Sequence, residues 1–153
     1  MNLHNQVALI TGASRGIGRA ILDTLARAGA TVIGTATGDS GAEAISRHIA
    51  ENGYRGSGKK LLVNDNDAVE TLIKNIADEF APVGILVNNA GITRDNLLMR
   101  MKPEEWDNVI DTNLSSVYRL SKAVLRDMMK ARSGRIINIT SVIGIMGNAG
   151  QTN

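Results

Sequence analysis

The stretch Val7-Ala-Leu-Ile-Thr-Gly-Ala-Ser-Arg-Gly-Ile-Gly18 decides the fold. It begins as an apolar run typical of a buried strand, passes through a glycine-rich turn and opens onto a helical pattern. Its three glycines suit a backbone that turns tightly and packs a helix close to a strand. Free N–H groups at the start of such a helix attract phosphate. The stretch therefore predicts a strand, a phosphate-binding loop and a helix, in that order.

The spacing of these glycines is G-x-x-x-G-x-G, whereas the commonest dinucleotide fingerprint is G-x-G-x-x-G. A glycine cluster alone is a weak signal, since a flexible turn has the same composition. The strand pattern before the loop and the helical pattern after it favour phosphate binding.

Length and composition describe one globular domain. A chain of 153 residues with 43% hydrophobic and 21% charged residues can bury a core and is neither disordered nor fibrous. Net charge is only +2 and aromatic residues make up 3%, which argues against a nucleic-acid-binding protein. The absence of cysteine excludes disulfides, thiolate metal sites and cysteine nucleophiles. His4 and His48 are expected at the surface, with no partners at metal-ligand spacing.

The chain carries no signal for the membrane. Its apolar runs are shorter than the roughly 18 residues that a membrane span needs. The first six residues have neither the basic nor the apolar region of a secretion signal. We therefore expect a cytoplasmic location.

Apolar runs alternate along the chain with amphipathic helical patterns. This rhythm predicts a doubly wound parallel sheet with helices on both faces, an α/β fold of three layers. The helix that follows residues 60–63 is expected to begin with Asp67 and Glu70 as a capping pair, and residues 53–58 are expected to form a loop. The expected strands are Val7 to Thr11, Thr31 to Thr35, Lys60 to Val63, Ile85 to Val87 and Arg135 to Thr140.

Ligands of open α/β sheets bind beyond the carboxyl ends of the strands, so the residues that follow each apolar run are candidates for a site. The fourth run leads into Asn88-Asn-Ala-Gly91, whose amides could tie strand ends together and whose small residues leave room for a flat ligand. An Asn-Gly-type turn is the alternative. The fifth run leads to Ser141, which could project a hydroxyl above the sheet or could simply cap a helix.

The second run ends in Thr31-Val-Ile-Gly-Thr-Ala-Thr37 without an acidic residue where NAD-binding folds usually hold the ribose 2′-hydroxyl. Small hydroxyls at this position, together with Arg15, favour a 2′-phosphate and hence NADP over NAD. The alternative for Arg15 is a solvated surface cation.

A long helix is expected to begin near Pro103, with an apolar stripe interrupted by Asn113. An amide on a core-facing stripe must be hydrogen-bonded, so Asn113 either fixes a structural water or serves a site. A second apolar face predicts self-association, because a helix that is apolar on two sides needs two partners. The stripe comprises Trp106, Ile110, Val117, Leu120 and Val124, and the second face Leu114, Tyr118, Leu125 and Met128.

Thr11-Gly-Ala-Ser-Arg-Gly-Ile-Gly18, Asn88-Asn-Ala-Gly91, Asn113 and Ser141 stand in the order and spacing of the classical short-chain dehydrogenase/reductase family, which this chain resembles over essentially all its length. Within that family, residues 91–101, 112–116 and 146–153 are similar to the bacterial 3-oxoacyl-[acyl-carrier-protein] reductases. The resemblance implies a Rossmann-like domain over residues 1–153, the N-terminal portion of a longer reductase. It also implies NADPH-dependent reduction of a 3-oxoacyl thioester in fatty-acid biosynthesis, by a cytoplasmic homotetramer.

The resemblance also implies roles for individual residues. Ser141 would hydrogen-bond the substrate carbonyl, Asn113 would hold a helix distortion and a water of the proton relay, and Arg132 would help to dock the acidic carrier protein. Arg132 could instead be a solvated cation at a helix end. The NADP site would be lined by Gly12, Ser14, Arg15, Ile17, Gly18, Thr37, Val63, Asn89, Ala90 and Gly91.

Two departures from the family pattern leave alternatives open. The family's Tyr-x-x-x-Lys would begin immediately after Asn153, and neither Tyr54 nor Tyr118 is expected to replace that tyrosine. The chain on its own could therefore be a non-catalytic nucleotide-binding or assembly module. The residue before Val63, usually Asp or Asn on the adenine side, is Leu62, so either Leu62 replaces it or Asn64 takes over. A coenzyme A thioester is the alternative substrate.

Overall fold

The computed structural model describes residues 2–153. Five strands alternate with helices, and two short turns flank the fourth helix, a 3₁₀ turn at Leu98–Arg100 and a π turn at Asp111–Ser115. The elements, in chain order, are β1 Val7–Ile10, α1 Gly16–Arg27, β2 Thr31–Ala36, α2 Asp39–Glu51, β3 Gly56–Lys60, α3 Asn66–Glu79, β4 Ile85–Asn88, α4 Pro103–Ile110, α5 Ser116–Ala131, β5 Arg135–Asn138 and α6 Ile143–Met146.

The strands form one parallel sheet in the order β3-β2-β1-β4-β5. The chain winds outward from β1 to β3 and then returns to the other side of β1 for β4 and β5. The predicted doubly wound α/β fold is thereby confirmed. The order reverses between β1 and β4, and a crevice opens at such a reversal beyond the carboxyl ends of the strands.

The core lies in two layers, one on each face of the sheet. Because side chains alternate along a strand, Ala8 and Ile10 of β1 pack with α1 and α2, whereas Val7 and Leu9 pack with α3 and α5. Leu9 and Ile10 are completely buried. This arrangement is the predicted three-layer α/β/α sandwich.

The third strand lies earlier than predicted. Residues 56–60 form β3, whereas the sequence predicted a loop to residue 58 and a strand over Lys60 to Val63. Glycine marks close backbone approach here. A Cβ on Gly56 would lie 1.8 Å from the carbonyl oxygen of Val32, and a Cβ on Gly58 would lie 2.0 Å from that of Ala42. The glycines that suggested a loop are therefore what allows β2 and α2 to press against β3.

The long helix was predicted correctly in outline, but its faces were not. The π turn adds backbone between α4 and α5 and rotates the register, so Trp106 is 42% exposed although it was predicted to face the core. Met128, predicted on the outer face, is 7% exposed and packs in the core. Its neighbour Met129 takes the outer position at 68% exposure.

Two smaller predictions were also wrong. The helix after β3 is capped by Asp65, whose carboxylate accepts from the N–H of Ala68, and not by Asp67 with Glu70. His48 is half-buried, and its Nε2 lies 2.7 Å from Oδ1 of Asp23, so it joins α2 to α1. Within residues 2–153, no helix combines the length and the apolar character needed to cross a membrane.

Gly58→Ala is expected to lower the free energy of unfolding by roughly 1 to 3 kcal/mol, the usual cost of overpacking, because the added methyl meets fixed backbone 2.0 Å away. Urea unfolding followed by circular dichroism measures the change. Gly144→Ala is the control, since a Cβ there meets nothing within 4 Å. If both variants unfold at the same urea concentration, the close approach of α2 to β3 is wrong.

Candidate functional site

The hydroxyl of Thr11 ties β1 to β4 where the strand order reverses. Thr11 is buried just beyond the end of β1, and its Oγ1 accepts hydrogen bonds from the backbone N–H groups of Asn89 at 3.0 Å and Ala90 at 2.9 Å. The same hydroxyl lies 3.4 Å from the carbonyl oxygen of Val87, to which it donates. One side chain thereby fixes the path of the chain as it leaves β4.

The side chain of Asn89 completes this connection from the other direction. Its Nδ2 donates to the carbonyl oxygens of Thr11 at 2.8 Å and Gly12 at 3.1 Å. Gly18, in the first turn of α1, lies so close that a Cβ there would be 2.3 Å from the oxygen of Gly12 and 2.6 Å from Asn89 Nδ2. The glycine loop, α1 and the segment after β4 thus pack without room for another carbon atom.

A cavity of about 680 Å³ opens above this junction, at the carboxyl ends of β1, β2 and β4. All ten residues predicted to line a cofactor site line this cavity: Gly12, Ser14, Arg15, Ile17, Gly18, Thr37, Val63, Asn89, Ala90 and Gly91. The start of α1 carries no side-chain cap and no acidic residue in its first turn, so the electropositive end of the helix borders the cavity.

The cation of the glycine loop and the hydroxyl after β2 border the same cavity. Arg15 and Thr37 both line the cavity. Asp39 follows two residues after Thr37, but its carboxylate is bound by the ammonium of Lys60 at 2.8 Å, away from the lining. The hydrogen bond and charge of Lys60 hold the pKa of the Asp39 carboxyl below its usual value. The carboxylate of Asp39 is therefore paired with a cation and does not line the cavity.

Asn113 lies within the π turn and clamps the segment that follows β4. Its Oδ1 accepts from the N–H of Ile92 at 2.9 Å, and its Nδ2 donates to the carbonyl oxygen of Ile92 at 2.9 Å. The helix distortion expected at Asn113 is present. The side chain is exposed and does not face the core, which corrects the predicted stripe. Both ends of the amide are nevertheless bonded, and the bonds hold Ile92 between two cavities.

The second cavity has a volume of about 280 Å³ and contains Ser141 and Asn113. Ile92 lines both cavities, so they are neighbours along the same sheet edge. The Oγ of Ser141 accepts a hydrogen bond from the N–H of Ile143 at 3.2 Å, which leaves its own proton to donate elsewhere. On the outer side, the amide of Gln151 donates to both carboxylate oxygens of Asp95 at 3.1 Å and closes the wall.

The comparison with known families agrees with this geometry. A family model described as short chain dehydrogenase matches residues 6–153. The chain belongs to the short chain dehydrogenase family. The matched range includes the glycine loop, the Asn88 to Gly91 segment, Asn113 and Ser141.

Three bacterial relatives within the short chain dehydrogenase family are named 3-oxoacyl-[acyl-carrier-protein] reductase. The chain is 62% identical to the proteins of Vibrio harveyi and Escherichia coli strain K12, and 60% identical to that of Pseudomonas aeruginosa. Each alignment covers 153 residues, which is 100% of this chain and 62% of the relative. The chain therefore spans about three fifths of the length of these relatives.

One predicted site residue of this short chain dehydrogenase does not join the others. Arg132 ends α5, near Arg135, which pairs with Ile85 at the beginning of β4. Helix α5 has 16 residues, or about 24 Å at 1.5 Å per residue, and it starts beside Asn113. Arg132 thus lies at the opposite edge of the sheet from both cavities. Its backbone is left-handed, with φ of 50°, and its side chain is exposed.

Some polar contacts of the site carried no clear signal in the sequence. Asn138 of β5 accepts a hydrogen bond from Nδ2 of Asn88 at 2.8 Å and so joins the ends of β4 and β5. The adenine-side alternatives, Leu62 and Asn64, both lie outside the cavity lining, which contains Leu61 and Val63 instead. Leu61 and Val63 are buried and Leu62 is exposed, but three apolar residues in a row carry no signal of this alternation in the sequence.

Proposed function

We propose that this chain is the nucleotide-binding part of an NADPH-dependent reductase that converts 3-oxoacyl thioesters on acyl-carrier protein to 3-hydroxyacyl thioesters in fatty-acid biosynthesis. The observation that carries the proposal is the adjacency of the two cavities. The larger one suits a phosphorylated nucleotide and the smaller one contains Ser141, with Ile92 between them. The names of the three relatives support the substrate class.

The larger cavity fits a dinucleotide in shape and charge. Its volume of about 680 Å³ lies within the range of ligand pockets. Gly12 and Gly18 let the backbone close tightly around the loop, and the uncapped start of α1 offers N–H groups to phosphate. Arg15 and Thr37 would bind a 2′-phosphate, and Asp39, two residues after Thr37, is held by Lys60 outside the cavity lining.

A nicotinamide cofactor bound there would supply the hydride for carbonyl reduction. Ser141 would then donate a hydrogen bond to the carbonyl oxygen of the substrate, where negative charge develops. Such donors act strongly when they are fixed in advance, and the N–H of Ile143 fixes the serine oxygen. Asn113 would act through Ile92, since its two hydrogen bonds set the wall between the cavities.

The proton for the product would come from a residue other than the two tyrosines of this chain. Tyr54 packs against the core beneath α2, and Tyr118 is exposed on α5; neither lines the cavity of Ser141. The resemblance to the family assigns proton donation to a Tyr-x-x-x-Lys motif. For this reason the reaction is best tested with the chain joined to the C-terminal remainder of the Vibrio harveyi relative.

Arg132 would contribute to docking of the acidic carrier protein, because its side chain is positively charged and exposed. Its distance from the cavities of its own chain means that it would serve the site of another subunit. This requirement links the docking role to the self-association described below.

The first expected outcome concerns the nucleotide. The chain should bind NADPH more tightly than NADH, and Arg15→Ala should weaken NADPH by roughly 10-fold to 100-fold with little effect on NADH, because a charged hydrogen bond contributes about 1.5 to 3 kcal/mol. Isothermal titration calorimetry with both nucleotides measures this. Arg126→Ala, at an exposed arginine on α5, is the control. Equal affinities that Arg15→Ala leaves unchanged would contradict the NADP assignment.

The second expected outcome concerns the reaction. The fusion with the relative's C-terminal part should consume NADPH with a 3-oxoacyl-carrier-protein thioester, and Ser141→Ala should reduce kcat by about 10² to 10³, as loss of one oxyanion donor does. The 153-residue chain alone should be at least about 10²-fold slower, since general acid catalysis is missing.

Two further variants provide a control for that experiment and a test of carrier-protein docking. Ser133→Ala, at an exposed serine outside the site, should retain activity. Arg132→Gly suits the left-handed backbone and should raise KM for the carrier-protein thioester but not for the coenzyme A thioester. Comparable turnover by the short chain, or an unaffected Ser141→Ala fusion, would contradict the mechanism. A KM for the coenzyme A thioester below that for the carrier-protein thioester would indicate that coenzyme A esters are the substrates.

We also propose that the protein is a homotetramer and that α5 with the preceding π turn supplies one interface. Leu114 and Tyr118 are 63% and 65% exposed, and Leu125 and Met129 continue the same apolar surface. Leu114→Lys with Leu125→Lys should lower the mass measured by sedimentation at micromolar concentration. Leu98→Lys, at a leucine 65% exposed elsewhere, should not. A monomeric parent chain, or a double variant with unchanged mass, would argue against this interface.

A further inference from the structure

Arg19, in the second turn of α1, reaches back to the glycine loop. Its Nη2 donates to the carbonyl oxygen of Ser14 at 2.6 Å, and its Nε lies 3.4 Å from the carbonyl oxygen of Ala13, a longer and weaker hydrogen bond. The side chain is half-buried. A guanidinium is a rigid planar fork, so one group can hold two neighbouring carbonyls in a fixed relation.

These two carbonyls belong to the peptide units whose N–H groups are those of Ser14 and Arg15. A peptide unit is planar and trans, so its carbonyl and its N–H point in opposite directions. By holding both oxygens on the α1 side, Arg19 turns both N–H groups the other way. Ser14 and Arg15 line the large cavity, and no acceptor within residues 2–153 pairs with their N–H groups. Arg19 thus presents two unpaired donors to whatever fills the cavity.

Within residues 2–153, Arg19 is the side chain that hydrogen-bonds these two carbonyl oxygens. The two peptide units lie between Gly12 and Gly16, with φ of 65° and 57°, and these glycines let the segment between them change its path at small cost. Helix α1 has no side-chain cap, and its first turn has no acidic residue that could order these N–H groups. Without Arg19, no side chain within residues 2–153 would hold the carbonyl oxygens of these two peptide units.

We propose that Arg19 is a positioning residue for the phosphate groups of the nucleotide. It would act through the backbone of Ser14 and Arg15, without touching the ligand, and the inference rests on the nucleotide binding proposed above. NADPH and NADH share their pyrophosphate and differ in the 2′-phosphate. Substitution of Arg19 is therefore expected to weaken NADPH and NADH equally, whereas substitution of Arg15 is expected to weaken NADPH alone.

The test compares dissociation constants of NADPH and NADH for the parent chain, Arg19→Gln, Arg19→Lys and the control Arg27→Gln. Arg27 lies at the far end of α1, where its Nε donates to the carbonyl oxygen of Asp23. Arg19→Gln should weaken both nucleotides about tenfold, the equivalent of roughly 1.4 kcal/mol. Arg19→Lys should bind both nucleotides as weakly as Arg19→Gln, because an ammonium lacks the planar fork of a guanidinium. Unchanged affinities, loss for NADPH alone, or full restoration by lysine would overturn the proposal.

A second measurement separates this inference from the proposed function. In the nucleotide-free chain, the amide NMR signals of Ser14 and Arg15 should shift and exchange faster with solvent in Arg19→Gln than in Arg27→Gln. The amide of Ala13, which donates to the carbonyl oxygen of Thr35 at 2.9 Å, should be little changed. Unmoved Ser14 and Arg15 signals would overturn the role of Arg19. Failure of the parent chain to bind either nucleotide would instead overturn the proposed function.

Discussion

The two cavities depend on the hydrogen bonds of the side-chain hydroxyl of Thr11. A hydroxyl offers one donor and two acceptor positions, and Thr11 uses all of them, toward the carbonyl of Val87 and the N–H groups of Asn89 and Ala90. These groups are buried or half-buried, and each unpaired one would cost about 1 to 3 kcal/mol. The bonds cross 76 to 79 positions of the sequence, so they stabilise the return of the chain from β3 to the other side of β1.

The other polar contacts of the site extend this one along the carboxyl edge of the sheet. Asn89 bonds back to the beginning of the glycine loop, Asn88 bonds outward to Asn138 on β5, and Asn113 bonds to Ile92. The asparagines hold backbone or one another, and Asn89 and Asn113 do so while they line the two cavities. Loss of a contact in this frame is therefore expected to lower stability and ligand affinity together.

Much of this arrangement could be predicted from the sequence, because it depends on short motifs that require a specific backbone conformation. The glycine loop and the Asn88 to Gly91 segment place the residues of the large cavity. The errors arose where tertiary contact overrides local pattern. Gly56 and Gly58 indicated a loop, but they belong to β3 because α2 and β2 approach too closely for any side chain.

The register of the long helix and the pairing of distant charged side chains could likewise not be predicted from local sequence patterns. A uniform helical period cannot show the π turn, which changes the register between α4 and α5 and leaves Trp106 42% exposed. Met128 follows the buried Val124 by four residues in α5, so its burial continues the core stripe. The partners of Asp39 and of His48 lie 21 and 25 positions away, so no local pattern reveals that Lys60 pairs with Asp39 or that Asp23 holds the imidazole.

The most direct test of this account compares Thr11→Val with Thr11→Ser. Valine keeps the shape but leaves the N–H groups of Asn89 and Ala90 without acceptors, whereas serine keeps the hydroxyl and loses one methyl group. Urea unfolding should show a loss of about 2 to 4 kcal/mol for valine and about 1 kcal/mol for serine, and NADPH affinity should fall only for valine. Equal stability of the two variants, with NADPH affinity unchanged in both, would contradict the central place of this hydroxyl.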